Sequence, residues 1–173
     1  LNKICDHFHL SLQSGCDETL KRMNRRYDTK EYFEAVTLLR QFYTDPAITT
    51  DVIVGFPKES VEEFEESAAF LKKTAFYEMH IFKYSKRQGT VAAKMPEQIA
   101  DDIKTDRSNQ LLKLATRQSR EFREKYIGKQ VVVLFEENKL IDGKIWQIGH
   151  TPEYIKVAYD SQTDLQNQIF TGL

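Results

Sequence analysis

The chain has 173 residues, with 25 Lys and Arg against 26 Asp and Glu for a formal net charge of −1. That length holds one ordinary domain, or one with a small second, and the near-balance of charge excludes a uniformly basic nucleic-acid binder, so any RNA contact rests on a local patch. An apolar fraction of 40% is that of a globular protein, and no apolar run is long enough to span a bilayer.

His7 to Gln13 alternates. Phe8, Leu10 and Leu12 make one face and His7, His9, Ser11 and Gln13 the other, which predicts a strand buried on one side, its polar side turned to water or a ligand. Ser14-Gly15 breaks it, and Asp17 is placed to cap a short helix through Lys21 to Arg26. Asp28 with Glu31 fits a capping box opening a helix whose inner face is Tyr32, Ala35, Val36, Leu39 and Tyr43. Thr44-Asp45-Pro46 ends it, and Ile48 to Phe56 reads as a second, buried strand. Ser60 with Glu63 opens another helix, with Val61, Phe64, Ala68, Leu71 and Ala75 inward, and Tyr77 to Tyr84 is a third strand. This order implies parallel pairing with right-handed crossovers. Pro96 suits the first turn of a helix reaching Tyr126, with Ile99, Ile103, Leu111, Leu114, Phe122 and Tyr126 inward. That helix carries Arg107, Lys113, Arg117, Arg120 and Arg123 and is the most basic segment. Its arginines read either as phosphate contacts or as a solvated face.

Gly128 marks a boundary. Beyond it Gln130 to Phe135, Lys144 to Ile148, Tyr154 to Tyr159 and Gln168 to Thr171 are short strands separated by turns such as Asp142-Gly143 and Thr151-Pro152, as in a small antiparallel barrel.

Cys5 and Cys16 are the only cysteines, at a spacing that matches no zinc or iron–sulfur pattern, and read as reduced thiols of a cytosolic protein. His7 and His9 share a strand face, yet no carboxylate or cysteine stands at ligand spacing, so no metal site is expected.

The runs Leu-Gln-Ser-Gly-Cys-Asp (12–17), Leu-Lys-Arg-Met-Asn-Arg-Arg-Tyr (20–27) and Asp-Val-Ile-Val-Gly-Phe-Pro (51–57) resemble the corresponding segments of the MiaB/MtaB-type methylthiotransferases, radical S-adenosylmethionine (SAM) enzymes that modify tRNA. The MtaB-like branch is the nearer in pattern. The resemblance implies an α/β fold: the C-terminal half of a partial TIM-type barrel, with three βα units over 1–126, then an OB-like, TRAM-like β-barrel over 127–173. It implies SAM and [4Fe–4S] clusters as cofactors and tRNA as partner. The family's activity is methylthiolation of an adenosine beside the anticodon, here C2 of N6-threonylcarbamoyladenosine. SAM-binding residues by the same resemblance are Ser11, Gln13, Ser14, Arg25 and Asp51, while the expected tRNA-binding residues, Arg117, Arg120 and Arg123 of the basic helix and Lys144 and Lys156 of the TRAM-like part, rest on the local excess of positive charge. Of the family pattern, the Cys-x3-Cys-x2-Cys cluster motif is absent, and Lys58 stands where many members have Gly. A start at Leu1 reads as that of an excised piece whose cluster ligands precede it and which is inactive alone. Its half-barrel edge and the inward faces of Val52, Val54, Ile81 and Phe82 would then favour self-association. Two other classes fit the same elements. One is a non-catalytic RNA-binding or assembly module. The other is a metabolic enzyme of TIM type, with Asp51 and Lys83 as its candidate groups.

Overall fold

The computed structural model describes residues 3–172. Its first sheet is parallel, in the order β1 (His7–His9), β2 (Ala47–Val54), β3 (Glu78–Lys83). Three helices lie on one side of it: α2 (Thr29–Phe42), α3 (Val61–Thr74) and α5 (Asp101–Glu124). They pack Tyr32 and Val36, Phe64 and Leu71, and Leu111 against Leu12, Ile48, Val52, Val54 and Met79. Both expected capping boxes form, Asp28 with Glu31 and Ser60 with Glu63, so α2 and α3 start where the sequence places them.

The other side of this sheet is open over its carboxy-terminal half. A second cluster of Ala47, Tyr77, Phe122 and Ile155 packs at the amino-terminal end of the sheet. Ile155 belongs to a second, antiparallel sheet region, ordered β6 (Lys156–Asp160), β5 (Lys144–His150), β4 (Val132–Ile141), β7 (Ile169–Thr171). Its core is Val133, Phe135 and Leu165, and Asp142-Gly143 turns β4 into β5 with φ of 51° and 76°, as a two-residue hairpin requires. Among the described residues β6 and β7 are the edges of this sheet, so the four strands pair as an open sheet and not as a closed ring.

Several expectations are corrected. Val52, Val54 and Ile81 belong to the helix-side core, and of the four apolar residues expected on the open face only Phe82 is there, 53% exposed. Val61 and Ile103, expected inward, are exposed. Asp17 does not cap α1 (Asp17–Arg22). Cys16 holds the cap position without a side-chain bond, while Asp17 Oδ1 accepts from Thr29 N at 2.8 Å and ties α1 to α2. That helix stops at Arg22 because Asn24 is left-handed, φ 58°. Pro96 precedes α5 by several residues. A one-turn helix, α4 (Val91–Lys94), comes first, and Glu97 at φ 56° accepts Lys58 N with its carbonyl, which holds this link across the end of β2.

Candidate functional site

The open face is built from alternate residues of three strands. In register, His9 lies beside Thr49 and Thr49 beside Glu78; Asp51 pairs with His80, and Ile53 with Phe82. Alternation therefore puts a polar patch in the middle of the face and an apolar step at its carboxy-terminal end. Asp51 is the centre of the patch. Its Oδ2 accepts from Ser11 Oγ at 2.6 Å and lies 3.1 Å from His9 Nε2, while His9 Nδ1 is 3.0 Å from Thr49 Oγ1. Partial burial would raise the Asp51 carboxyl, but the bonds from Ser11 and His9 and the charges of His9 and His80 outweigh it and hold the group below its ordinary range. His80 brings its ring beside that of His9, with centroids 5.9 Å apart, and ligand-type atoms of His9, Asp51 and His80 all fall within 4.8 Å of one another.

The strand after His9 is irregular, which changes the position of Gln13. Four residues, Leu10 to Gln13, stand against three, Thr50 to Val52, so the next bridge is Gln13 to Val52 and not to a residue of the Asp51 face. Gln13 is left-handed at φ 73° and buried, so it does not continue the polar row of His7, His9 and Ser11. Side chains satisfy the backbone freed by this bulge. Thr50 Oγ1 donates to Leu10 O at 2.6 Å and accepts from Leu12 N at 2.9 Å; Tyr32 OH also donates to Leu10 O, at 2.6 Å. Tyr27 OH reaches the carbonyls of Ser11 and Leu12 at 3.0 and 2.9 Å. Burial pushes the Tyr32 phenol up to about 12, so it stays a donor at any physiological pH. Sequence reasoning missed these three supports, although Tyr32 carried the helix period and Tyr27 the family motif.

The other expected residues fall differently. Ser14 Oγ is buried in the turn, 3.3 Å from Cys16 N, and Gly15 N donates to Ser67 Oγ at 2.9 Å. Arg25 is exposed, and among the described residues its side chain has no hydrogen bond or ion pair to the Asp51 cluster. Lys83 Nζ, the second candidate for a metabolic enzyme, donates to Thr105 Oγ1 at 3.2 Å, on α5. Beyond Ile53 and Phe82 a cleft of about 510 Å³ continues past Lys83 and Tyr84 to Arg87 and Thr90.

Of the basic residues of α5, Arg107 is not available to phosphate. It is 5% exposed and bonds Glu59 Oε1 at 2.5 Å, Glu59 O at 3.0 Å and Ser60 O at 3.2 Å. Arg117 and Arg120 are exposed but face Glu121 at 3.8 Å and Glu124 at 2.7 Å, one turn on. Arg123 is exposed beside Glu78 and His80, and Lys156 is exposed on β6. Lys144 pairs with Asp160 at 2.5 Å over the ring of Trp146. Three of these five residues, Arg117, Arg120 and Lys144, thus have a carboxylate neighbour.

Among the described residues no helix is long and apolar enough to cross a membrane. The model of the radical SAM superfamily matches residues 1–71. The chain is 36% identical over 169 residues, 97% of its length, to a Bacillus subtilis protein named threonylcarbamoyladenosine tRNA methylthiotransferase MtaB. It is 40% identical over 163 residues, 94% of its length, to an Acetivibrio thermocellus protein named tRNA-2-methylthio-N(6)-dimethylallyladenosine synthase. A Thermodesulfovibrio yellowstonii protein of that second name is 43% identical over 146 residues, 84% of the chain. The chain spans 38%, 34% and 30% of the length of these three relatives. The match runs through both sheets and through the segments that build the open face, so nearly the whole chain is similar to about a third of the length of these radical SAM tRNA methylthiotransferases.

Proposed function

We propose that the chain is the cofactor-positioning and tRNA-binding part of a cytoplasmic radical SAM methylthiotransferase acting on C2 of N6-threonylcarbamoyladenosine beside the anticodon. The observation that carries this reading is the open sheet face, polar at Ser11 and Asp51 and apolar at Ile53 and Phe82. Helices on one side only and a wet opposite side are what one wall of a partial TIM-type barrel requires. Residues 1–126 are read as that wall and 127–173 as a TRAM-like module, with the small antiparallel sheet as support for the second part.

The donor set fits SAM. Asp51 uses Oδ2 for His9 and Ser11, which leaves Oδ1 to accept from ribose hydroxyls, and Arg25 is free to pair with a carboxylate. Ile53 and Phe82 offer apolar surface to an adenine, while Ser14 and Gln13 hold the turn behind it. Bound SAM supplies a methyl group and, on reductive cleavage, the radical that abstracts hydrogen. The residues present do not fit an iron–sulfur cluster: Cys16 is buried, Cys5 is exposed, and two thiols are not the three-cysteine set such a cluster needs.

Titration of SAM into the whole protein tests the reading. Arg25→Ala and Asp51→Ala should each weaken binding by about 10- to 100-fold, the loss of one charge-assisted hydrogen bond; unchanged affinity in both would remove SAM from this face. For tRNA, Arg123 and Lys156 are the contacts with no ion pair among the described residues, joined by Arg117, Arg120 and Lys144 where phosphate displaces their carboxylates. Arg123→Glu with Lys156→Glu should lower the salt slope of binding by about two, roughly one per phosphate contact. β1 stands at a sheet edge, so the chain alone is expected to self-associate, and sedimentation at several dilutions tests that.

A further inference from the structure

We propose that His9, Asp51 and His80 form a binding site for one divalent transition-metal ion of the Zn²⁺ type, with a coordination position left open to solvent or substrate. This rests on the geometry of the open face and not on the methylthiotransferase reading. The three residues come one from each strand of the sheet, on the same face, and their ligand atoms lie within 4.8 Å of one another. Zinc–nitrogen and zinc–oxygen bonds of about 2.0–2.2 Å bring ligand atoms to roughly 3.3 Å apart around a tetrahedral ion. His9 Nε2 and Asp51 Oδ2 already stand at 3.1 Å, so the ion replaces the proton between them and only His80, an exposed side chain, has to close in.

The groups behind the ligands point the same way. A metal-bound imidazole needs its second nitrogen held, and a ligating carboxylate needs a hydrogen bond of its own. His9 Nδ1 is held by Thr49 Oγ1 at 3.0 Å, which directs Nε2 outward, and Asp51 is held by Ser11 Oγ at 2.6 Å. Two imidazoles and one carboxylate make a borderline donor set that selects Zn²⁺, Fe²⁺ or Co²⁺ over Mg²⁺ or Ca²⁺. Three protein ligands rather than four are the pattern of a reactive site, not of a structural one. His9 and Asp51 are partly exposed, with side-chain accessibilities of 40% and 27%, so an ion can enter from the wet side without opening the fold.

Cobalt(II) titration of the chelator-treated chain, followed by visible absorption, tests the site. The expected result is one ion per chain, with bands of a nitrogen- and oxygen-ligated Co²⁺, no thiolate charge-transfer band, and displacement by Zn²⁺. His80→Gln and His9→Gln should each weaken binding by at least about tenfold, and Thr49→Val, which removes only the support of His9, by about tenfold. Cys5→Ser, outside the ligand set and its supports, should leave it unchanged. Circular dichroism of each variant establishes that it is folded. Thiolate bands that vanish in Cys5→Ser, retention of full affinity in folded His80→Gln, or no binding at micromolar Co²⁺ would each overturn the proposal.

Discussion

Replacing Arg107 by Met keeps most of the side chain's apolar stem and removes its guanidinium, which isolates the effect of charge. Glu59, itself 5% exposed, would keep one partner, Gly55 N at 3.0 Å, and lose the ion that balances its charge. Stranding one member of a buried pair costs about 3–5 kcal/mol. For a chain of this size each kcal/mol moves Tm by about 2–4 °C, so a fall of about 6–20 °C is expected. Burial pushes the Glu59 carboxyl above its ordinary 4.5 even beside Arg107, and without the guanidinium it must rise further. An acid whose folded-state pKa is raised gains relative stability as pH falls through that value, so the deficit of the Met variant should shrink between pH 7 and about pH 5. Adding Glu59→Gln removes the stranded charge and should recover at least about 1 kcal/mol. Urea unfolding at both pH values measures all of this. A deficit under 1 kcal/mol, or one that does not change with pH, would refute the account.

Lys58 has φ 68° and an exposed ion pair to Glu97 at 3.5 Å, so Lys58→Gly should relieve left-handed strain and raise stability by about 0.5–1 kcal/mol; a lower Tm would refute this. A Cβ on Gly15 would sit 2.8 Å from Ser67 O and 2.9 Å from Phe70 Cβ, and Gly15→Ala is expected to cost about 1–3 kcal/mol by urea unfolding. Glu63 is held below its ordinary 4.5 by the hydrogen bond from Arg22, so its contribution is complete above that value and disappears as pH falls through the lower folded-state value. Acid titration of the unfolding midpoint should therefore fall less steeply in Glu63→Gln than in the parent chain.

The sequence made the helices legible because their starts are local: Asp28 with Glu31 and Ser60 with Glu63 each satisfy a helix end from within four residues. The strands were legible too, since Ala47–Val54 and Glu78–Lys83 are rich in β-branched or apolar residues between turn signals. Which face each strand residue takes was less so. A strand buried against helices shows apolar residues at nearly every position, and Val52, Val54 and Ile81 carry no mark to distinguish core side from open side. Arg107 was misread for a related reason. On a helix with several arginines, nothing nearby in the sequence indicates that its partner is Glu59, 48 residues away.

The open face depends on the least legible feature of all, the extra residue between His9 and Gln13. Before it, His9 shares a face with Thr49; at Ser11 the hydroxyl still reaches Asp51; by Gln13 the register has shifted and the polar row ends. Without the bulge, Gln13 would lie on the same face as Asp51 and Ile53, filling the place where the face turns from polar to apolar. Its cost is the freed carbonyls of Leu10, Ser11 and Leu12 and the Leu12 amide, which Thr50 on β2, Tyr32 on α2 and Tyr27 in the segment before α2 satisfy. Three side chains fixed on an irregular strand are what keep the Asp51 patch open to a ligand. Removing them one at a time, while leaving Asp51 untouched, should therefore disturb whatever binds on this face as surely as changing Asp51 itself.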